Sequence, residues 1–320
     1  MDKEKLLVVV GPTAVGKSKV AIELAKRLDG EVISADSMQV YKGMDIGTAK
    51  PGPKERRKIR HHLINIVDPP VDFSVAEYQR LARTAIEEIT QRGKLPMLVG
   101  GSGLYIRSVI DKLKFPSGTL SSKIRRELEK QTKSDPGGLY EELQRLDPKA
   151  AKKIHPHNLR RIIRALEVIT LTGRTFTEYQ KEWQRRESIY EIRIVGLNLP
   201  REELYAKIDG RVDEMLQKGL LDEVKTLVSL GYSGAITARQ ALGYKELLEH
   251  LEERKSLEDA VQLIKQRTRN FAKRQLTWFK RDPRIKWFDI SDKTTKQVAS
   301  EIIHFLQTER FLPGGKHWEG

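Results

Sequence analysis

The chain has 320 residues, of which 38% are apolar and 32% are charged, and it contains no cysteine. The missing thiols exclude disulfides and thiolate zinc ligands and favour a cytoplasmic protein. The short apolar runs and the polar N-terminus predict neither a membrane span nor a secretion signal. A net charge of +15 predicts a polyanionic partner, most commonly nucleic acid, although a basic enzyme without such a partner is the alternative.

Three apolar runs near the N-terminus predict buried parallel strands, at residues 6–10, 31–34 and 96–99. Helical spacing separates these runs, at residues 17–28 and 75–91. Strands that alternate with helices in this way form parallel sheets with helices on both faces. We therefore predict an α/β fold.

The middle of the chain has a different character. Between residues 114 and 190 the apolar spacing is helical throughout, with Pro and Gly breaks and no strand pattern. Residues 112–190 contain 18 basic and 10 acidic side chains. We expect this segment to be an all-helical insertion in the α/β core.

The sheet resumes after the insertion, with strand patterns at residues 193–199 and 285–290. Helical patterns lie between them at 202–230, 238–251 and 257–280. The predicted organisation is thus a core of residues 1–113 and 191–310, a helical insertion of residues 114–190, and a flexible tail of residues 311–320.

The residues after the first strand match the phosphate-binding pattern G-x-x-x-x-G-K-[ST], and they open a helix as that pattern requires. Backbone amides of such a loop converge on phosphate oxygens, the lysine adds a positive charge, and the final hydroxyl can ligate Mg²⁺. We predict a kinase-like P-loop fold in which phosphate is bound by Gly11, Pro12, Thr13, Ala14, Val15, Gly16, Lys17 and Ser18, with Ser18 as the metal ligand.

The residues that follow two neighbouring strands restrict the reactions that the site could catalyse. The run at 96–99 ends in Gly100, Gly101 and Ser102, without the carboxylate that hydrolytic motors place there, and the guanine-binding motif of GTPases is absent from the sequence. Asp36 follows the second strand at the ligand edge of the sheet. It is a candidate general base or indirect Mg²⁺ ligand, and the alternative is a turn cap.

Motifs along nearly the whole chain resemble those of one family, the tRNA dimethylallyltransferases (isopentenyl-tRNA transferases), and specifically the bacterial type without a zinc finger. Besides the phosphate loop, they occupy residues 34–41, 43–51, 61–63, 99–105, 158–167, 211–216, 241–244 and 269–280.

The resemblance implies transfer of a dimethylallyl group from dimethylallyl diphosphate to N6 of adenosine 37, in tRNAs that read codons beginning with U. It implies Mg²⁺ as cofactor, the anticodon stem-loop as partner and a monomeric enzyme. Asp36, Thr13 and Arg211 match the family's catalytic residues, and Arg211 also its diphosphate arginine. The matching tRNA contacts are Asp36, Ser37, Met38, Gln39, Ser102, Arg160, Arg161, Ile162, Ile163 and Arg164.

Several of these residues have plainer interpretations. Arg211 could form a surface ion pair, and Arg160, Arg161 and Arg164 could lie on a solvated helix face. We expect His61 and His62 to pack or cap near the core, and Trp278 and Phe279 to be core residues. Residues 261–281 include seven cations and no carboxylate, which favours contact with tRNA phosphates.

Two other functions remain open from the sequence. A small-molecule or nucleotide kinase with the same loop would bind ATP and direct Asp36 at a hydroxyl acceptor. A non-catalytic RNA-binding ATPase module would bind RNA without forming a product.

Overall fold

The computed structural model of the chain describes residues 3–115, 122–135, 137–232 and 241–312. It divides into two compact units, one formed by Met1–Ile110 and Ile189–Gly320 and the other by Asp111–Ser188. We call them the α/β unit and the helical unit. The predicted insertion, residues 114–190, overlaps most of the helical unit.

The α/β unit is built on a six-stranded sheet in which every pairing is parallel. In space the strands follow the order β3-β2-β4-β1-β5-β6. Their bounds are β1 Lys5–Val10, β2 Gly30–Ala35, β3 His61–His62, β4 Leu95–Gly100, β5 Glu191–Asn198 and β6 Ile285–Asp289. The parallel α/β fold predicted from the sequence is confirmed.

Nine helices among the described residues belong to this unit. They are α1 Lys17–Arg27, α2 Pro53–Lys58, α3 Val75–Gln91, α4 Gly103–Ile110, α10 Arg201–Gln217, α11 Leu220–Ser229, α12 Tyr244–Leu251, α13 Leu257–Phe279 and α14 Thr295–Thr308.

The central strand β1 explains how the sheet is covered. Its side chains alternate between the two faces, and all of residues 6–10 are buried. Leu7 and Val9 pack in a cluster with residues of α1, α10 and α14, whereas Leu6 and Val8 pack with residues of α3 and α4. A strand covered on both faces reads as a continuous apolar run, which is the pattern seen in the sequence.

A third apolar cluster lies in the α/β unit, beside the loop that follows β2. Val40, Tyr41 and Met44 pack there with residues of α10, α11, α12 and α13. The cluster fixes the loop between β2 and α2 onto a helical platform, so the residues that follow Asp36 have a defined position.

The helical unit has its own core. Its helices are α5 Ser122–Ser134, α6 Gly138–Leu146, α7 Pro148–Ala151, α8 Leu159–Thr172 and α9 Phe176–Gln184. The core is centred on Leu143, Ile162 and Leu166. Buried Asp147 joins α7 and α9, since its carboxylate accepts hydrogen bonds from the Ala150 amide at 3.0 Å and the Thr177 hydroxyl at 2.6 Å.

Some local predictions were wrong. The helix predicted over 202–230 is two helices, α10 and α11, because Gly219 between them has φ of 93°, a left-handed conformation that glycine adopts readily. The flexible tail does not begin at residue 311, because Phe311 is fully buried against the sheet core. The predicted tail beyond 312 and the start of the predicted helix 238–251 lie outside the described residues.

Candidate functional site

The site lies at the carboxyl ends of β1, β2 and β4, the edge at which parallel sheets bind ligands. The phosphate loop follows β1, Asp36 follows β2, and Gly101 and Ser102 follow β4. Arg211 comes from α10 and Gln275 from α13. All these residues belong to the α/β unit.

The phosphate loop has the backbone that its glycines permit. Gly11 has φ of 151° and Gly16 has φ of 103°, and a Cβ atom at Gly11 would lie 2.7 Å from the Leu197 carbonyl oxygen. Ala14 is also left-handed, with φ of 63°. The loop then leads directly into α1, whose first amides and dipole attract an anion.

Lys17 is held inside this loop. Its ammonium donates a hydrogen bond to the Pro12 carbonyl at 2.7 Å. Burial and the nearby positive charge of Arg211 together lower the pKa of Lys17 to about 7, although Asp36 opposes the change. Because an anion in the loop would offset both causes, phosphate binding should restore the charge of Lys17.

Arg211 does not form the surface ion pair considered as its alternative role. Its guanidinium points into the site, where Nη1 donates to the Thr13 hydroxyl at 3.4 Å. Burial lowers the pKa of Arg211 from its ordinary value, and Asp36 raises it. Two catalytic residues predicted from the resemblance, Thr13 and Arg211, are thus in contact.

Asp36 lies within electrostatic reach of Lys17 and Arg211, since it perturbs the pKa of both. One of its carboxylate oxygens, Oδ1, accepts a hydrogen bond from the Met38 amide at 2.9 Å. This bond is the turn cap anticipated from the sequence, and it also fixes the orientation of the carboxylate. A turn cap and a reactive carboxylate are therefore compatible at this position.

Ser102 joins the turn after β4 to the turn after β2. Its hydroxyl accepts a hydrogen bond from the Ser37 amide at 3.1 Å, and its own amide donates to the Ala35 carbonyl at 3.1 Å. The two strand ends that flank the phosphate loop are thereby held together.

Gln275 is a site residue that the sequence analysis did not single out. It lies on the buried face of α13 and is 7% exposed. The sequence contains a signal for it, because Ala272, Gln275 and Phe279 form one buried stripe of the helix, and a polar residue on such a stripe needs hydrogen-bond partners. Its partners are the phosphate loop and the turn after β4.

Glu223 of α11 is a second residue that was missed. Its carboxylate accepts hydrogen bonds from three successive amides, those of Asp45, Ile46 and Gly47, at 2.9, 2.8 and 3.2 Å. The Tyr244 hydroxyl donates to the same carboxylate at 2.5 Å. These bonds hold the loop that begins with Asp36 in place. In the same loop, the Gln39 side chain accepts a hydrogen bond from the Ser34 hydroxyl at 2.8 Å.

A model of the family described as IPP transferase matches residues 39–282, which is well over half of the chain. The chain belongs to the IPP transferase family. The resemblance stated from the motifs is therefore confirmed.

Curated relatives of this family member cover nearly its full length. The tRNA dimethylallyltransferase of Carboxydothermus hydrogenoformans is 49% identical, over 97% of this chain and 99% of that protein. The tRNA dimethylallyltransferase of Anoxybacillus flavithermus is 48% identical, over 95% of this chain and 96% of that protein.

Two solved structures are also similar to this chain over most of its length. The tRNA isopentenylpyrophosphate transferase of Bacillus halodurans is 46% identical, with a TM-score of 0.71 over 96% of this chain and 97% of that one. A eukaryotic dimethylallyltransferase acting on tRNA is 33% identical, with a TM-score of 0.83 over 96% of this chain and 79% of that one.

The segment of this IPP transferase predicted to contact tRNA from the insertion opens α8 of the helical unit. Arg160 and Arg161 are exposed. Ile162 is fully buried and Ile163 is 6% exposed in the core of the unit, which argues against tRNA contact through their side chains. Arg164 Nη1 donates to the buried carboxylate of Glu167 at 2.7 Å, so its charge is partly neutralised within the helix.

Three cations of the cation-rich segment 261–281 are paired with carboxylates that are distant in the sequence. Lys265 pairs with Asp213 at 2.7 Å, Arg269 with Asp209 at 2.6 Å, and Arg267 with Glu246 at 2.5 Å. The neighbouring helices α10 and α12 supply these carboxylates. Four cations of the segment have exposed side chains near the C-terminal end of α13, namely Lys273, Arg274, Lys280 and Arg281.

The two aromatic residues near the end of α13 differ. Phe279 is buried as predicted, but Trp278 is 43% exposed, so its prediction as a core residue was wrong. The ring of Trp278 covers Gly103, where a Cβ atom would lie 2.2 Å from the indole. Residues i and i+1 of a helix face different surroundings, so one of two adjacent aromatic residues can be buried while the other is exposed.

The described residues contain neither a cluster of metal-ligating side chains nor a membrane-spanning helix. Within residues 3–115, 122–135, 137–232 and 241–312, no three His, Asp or Glu side chains converge as metal ligands. Over the same ranges, no helix has the length and apolar character needed to cross a bilayer.

Proposed function

We propose that this IPP transferase moves a dimethylallyl group from dimethylallyl diphosphate to N6 of adenosine 37 in tRNAs that read codons beginning with U. The observation that carries the proposal is that Asp36 interacts electrostatically with two partly buried cations, Lys17 of the phosphate loop and Arg211 of α10. The names of the curated relatives support prenyl transfer over the kinase alternative.

The donor diphosphate is proposed to bind the amides of residues 11–18, with Lys17 and Arg211 against its oxygens. Both cations are partly desolvated by the protein, and charge is stabilised most strongly by groups already oriented in a water-poor site. Thr13, which Arg211 contacts, completes this side of the site.

In the proposed reaction, the N6 nitrogen attacks C1 of the dimethylallyl group as the C1–O bond to diphosphate breaks. Asp36 accepts the proton released from N6, and the diphosphate leaves with the electron pair of the broken bond. An exocyclic aromatic amine is a weak nucleophile, so a base that removes its proton lowers the barrier. Lys17 and Arg211 neutralise the growing charge of the leaving group.

The residues present fit a Mg²⁺ ion that is bound mainly through the donor. Magnesium in phosphate sites takes one or two protein oxygens and completes its shell with phosphate oxygens and water, so a cluster of carboxylates is not required. Ser18, exposed at the first turn of α1, is the proposed protein ligand. The ion would neutralise diphosphate charge when bound.

The anticodon stem-loop is the proposed acceptor partner, and adenosine 37 must leave its stack to reach the site. Ser37, Met38, Gln39 and Ser102 are proposed to contact it beside Asp36. Arg160, Arg161 and Arg164 are proposed to contact the tRNA from the helical unit, and the exposed cations at the end of α13 from the α/β unit. We propose that the enzyme is monomeric and cytoplasmic.

Mass spectrometry of nucleosides tests this proposal directly. Unmodified tRNA that reads a codon beginning with U is incubated with the protein, Mg²⁺ and dimethylallyl diphosphate. We expect N6-(dimethylallyl)adenosine at position 37, and none with a transcript that has guanosine there. Phosphorylated product with ATP, and no prenylated adenosine, would instead establish the kinase.

A further inference from the structure

The Gln275 side chain bridges two parts of the site. Its Oε1 atom accepts a hydrogen bond from the Thr13 amide at 2.8 Å, and its Nε2 atom donates to the Gly101 carbonyl at 3.0 Å. The orientation of the amide follows from its partners, since a backbone N–H can only donate and a carbonyl can only accept.

These two bonds complete a continuous path across the site. Arg211 contacts the Thr13 hydroxyl, the Thr13 amide contacts Gln275, and Gln275 contacts Gly101. From the next residue, Ser102, bonds continue to Ala35 and Ser37 on either side of Asp36. The donor side and the base side are therefore joined through one side chain of α13.

The Gln275 side chain is closely packed against the turn after β4. A Cβ atom at Gly101 would lie 2.2 Å from Nε2 of Gln275, so the turn after β4 approaches the amide as closely as a glycine allows. Gln275 is 7% exposed, and a buried amide that lost either partner would leave a polar group unsatisfied.

We propose that Gln275 is a positioning residue for the transfer reaction, holding the phosphate loop and the turn that carries Ser102 in the mutual position required by donor and base. This inference rests on the proposed binding of the donor diphosphate by the phosphate loop. Gln275 acts through Thr13 and Gly101 and does not touch the reacting atoms.

Two substitutions separate its hydrogen bonds from its volume. Gln275→Met fills similar space without either bond. Gln275→Glu keeps an acceptor for the Thr13 amide, but when ionised it places a second acceptor against the Gly101 carbonyl. Protonation of that carboxyl restores a donor, and burial favours the protonated form.

We expect Gln275→Met to lower the single-turnover rate at saturating donor by roughly 10- to 100-fold, the scale of a small misplacement of reacting groups. For Gln275→Glu, the rate relative to wild type should rise as pH falls from 8 to 6, whereas the ratio for Gln275→Met should stay flat. A residue needed only for stability would leave both ratios flat.

Two further variants guard against misfolding. Gly101→Ala keeps Gln275 but displaces its amide, and it should lower the rate in the same way. Gln266→Met changes an exposed glutamine of the same helix and should match wild type. Rates are compared only at temperatures at which thermal melts and tRNA binding show each variant to be folded.

The outcomes separate this inference from the proposed function. If wild type transfers the prenyl group and Lys17→Met loses donor binding, the proposed function stands. Folded Gln275→Met and Gly101→Ala variants with wild-type rates would then overturn the positioning role alone. If wild type forms no prenylated tRNA, the proposed function fails first, and the role of Gln275 fails with it.

Discussion

The phosphate loop of the α/β unit and the start of α8 in the helical unit offer two contrasting environments for phosphate. In the loop, Lys17 is enclosed and its pKa is lowered to about 7, so an anion would meet a desolvated and oriented cation. At α8, the side chains of Arg160 and Arg161 are exposed. Enclosed charges act strongly and one at a time, whereas exposed charges act weakly, additively and in a salt-dependent way.

The largest effect that this contrast predicts is at Asp36. Asp36→Asn keeps an oxygen for the Met38 amide but removes the base, and it should lower turnover by about two to four orders of magnitude. Single-turnover rates measured beside tRNA affinity, which should barely change, give the result. A wild-type rate in Asp36→Asn would reduce the carboxylate to a turn cap.

Arg211 comes next. Arg211→Gln removes an enclosed charge that contacts Thr13, and we expect turnover to fall by about two to three orders of magnitude, with weaker donor binding. Lys207→Gln, an exposed position on the same helix, is the matched control. Equal kinetics for the two variants would place Arg211 outside the reaction.

The lowered pKa of Lys17 predicts that donor binding depends on pH. Because its pKa is about 7 in the free protein, Lys17 is mostly neutral at pH 8, and an incoming diphosphate should raise that pKa. Donor binding at pH 8 should therefore take up as much as one proton, and affinity should weaken as pH rises above about 7. Calorimetry in buffers of different ionisation enthalpy measures the uptake.

The variant Lys17→Met supplies the reference for this experiment, because protons taken up by the diphosphate itself persist in it. Uptake that is identical in wild type and Lys17→Met would show that the lysine is already charged before the donor arrives.

The smallest expected effect is at the exposed surface. Replacing Arg160 and Arg161 with Gln should flatten the log–log dependence of tRNA affinity on salt by roughly one to two units and leave donor affinity constant. Arg164 is left in place because it pairs with Glu167. Titrations across a salt series measure the slope.

Arg269→Gln is the contrasting variant for that titration. Asp209 neutralises Arg269 at 2.6 Å, so this substitution should leave the salt slope unchanged. Should Arg269 alter the slope while the α8 pair does not, the tRNA would bind along α13 and not at the helical unit.

The sequence predicted the sheet well because a buried parallel strand leaves an unbroken apolar run, as in residues 6–10. It predicted the phosphate loop because glycines with positive φ are a local requirement. It did not predict the two-residue β3, whose His62 is bonded to Glu31 at 2.7 Å, since so short a strand carries no periodicity.

What the sequence could not supply was pairing between distant elements. The cations of 261–281 looked unopposed because their carboxylates lie on α10 and α12. Gln275 lacked an evident role because its two partners are 262 and 174 residues away along the chain. Ile162 and Ile163 matched a tRNA-contact motif, but a motif does not reveal which side of its helix faces the core.

The position of β1 at the centre of the sheet has a consequence for synthesis. Lys5 pairs with Glu191, and the whole helical unit lies between them in the sequence. At translation rates of about 5–20 residues per second, β1 waits roughly 10–40 s for β5. The helical unit, continuous in sequence, has left the ribosome by then, so the inserted part of the protein can fold before the part that receives it.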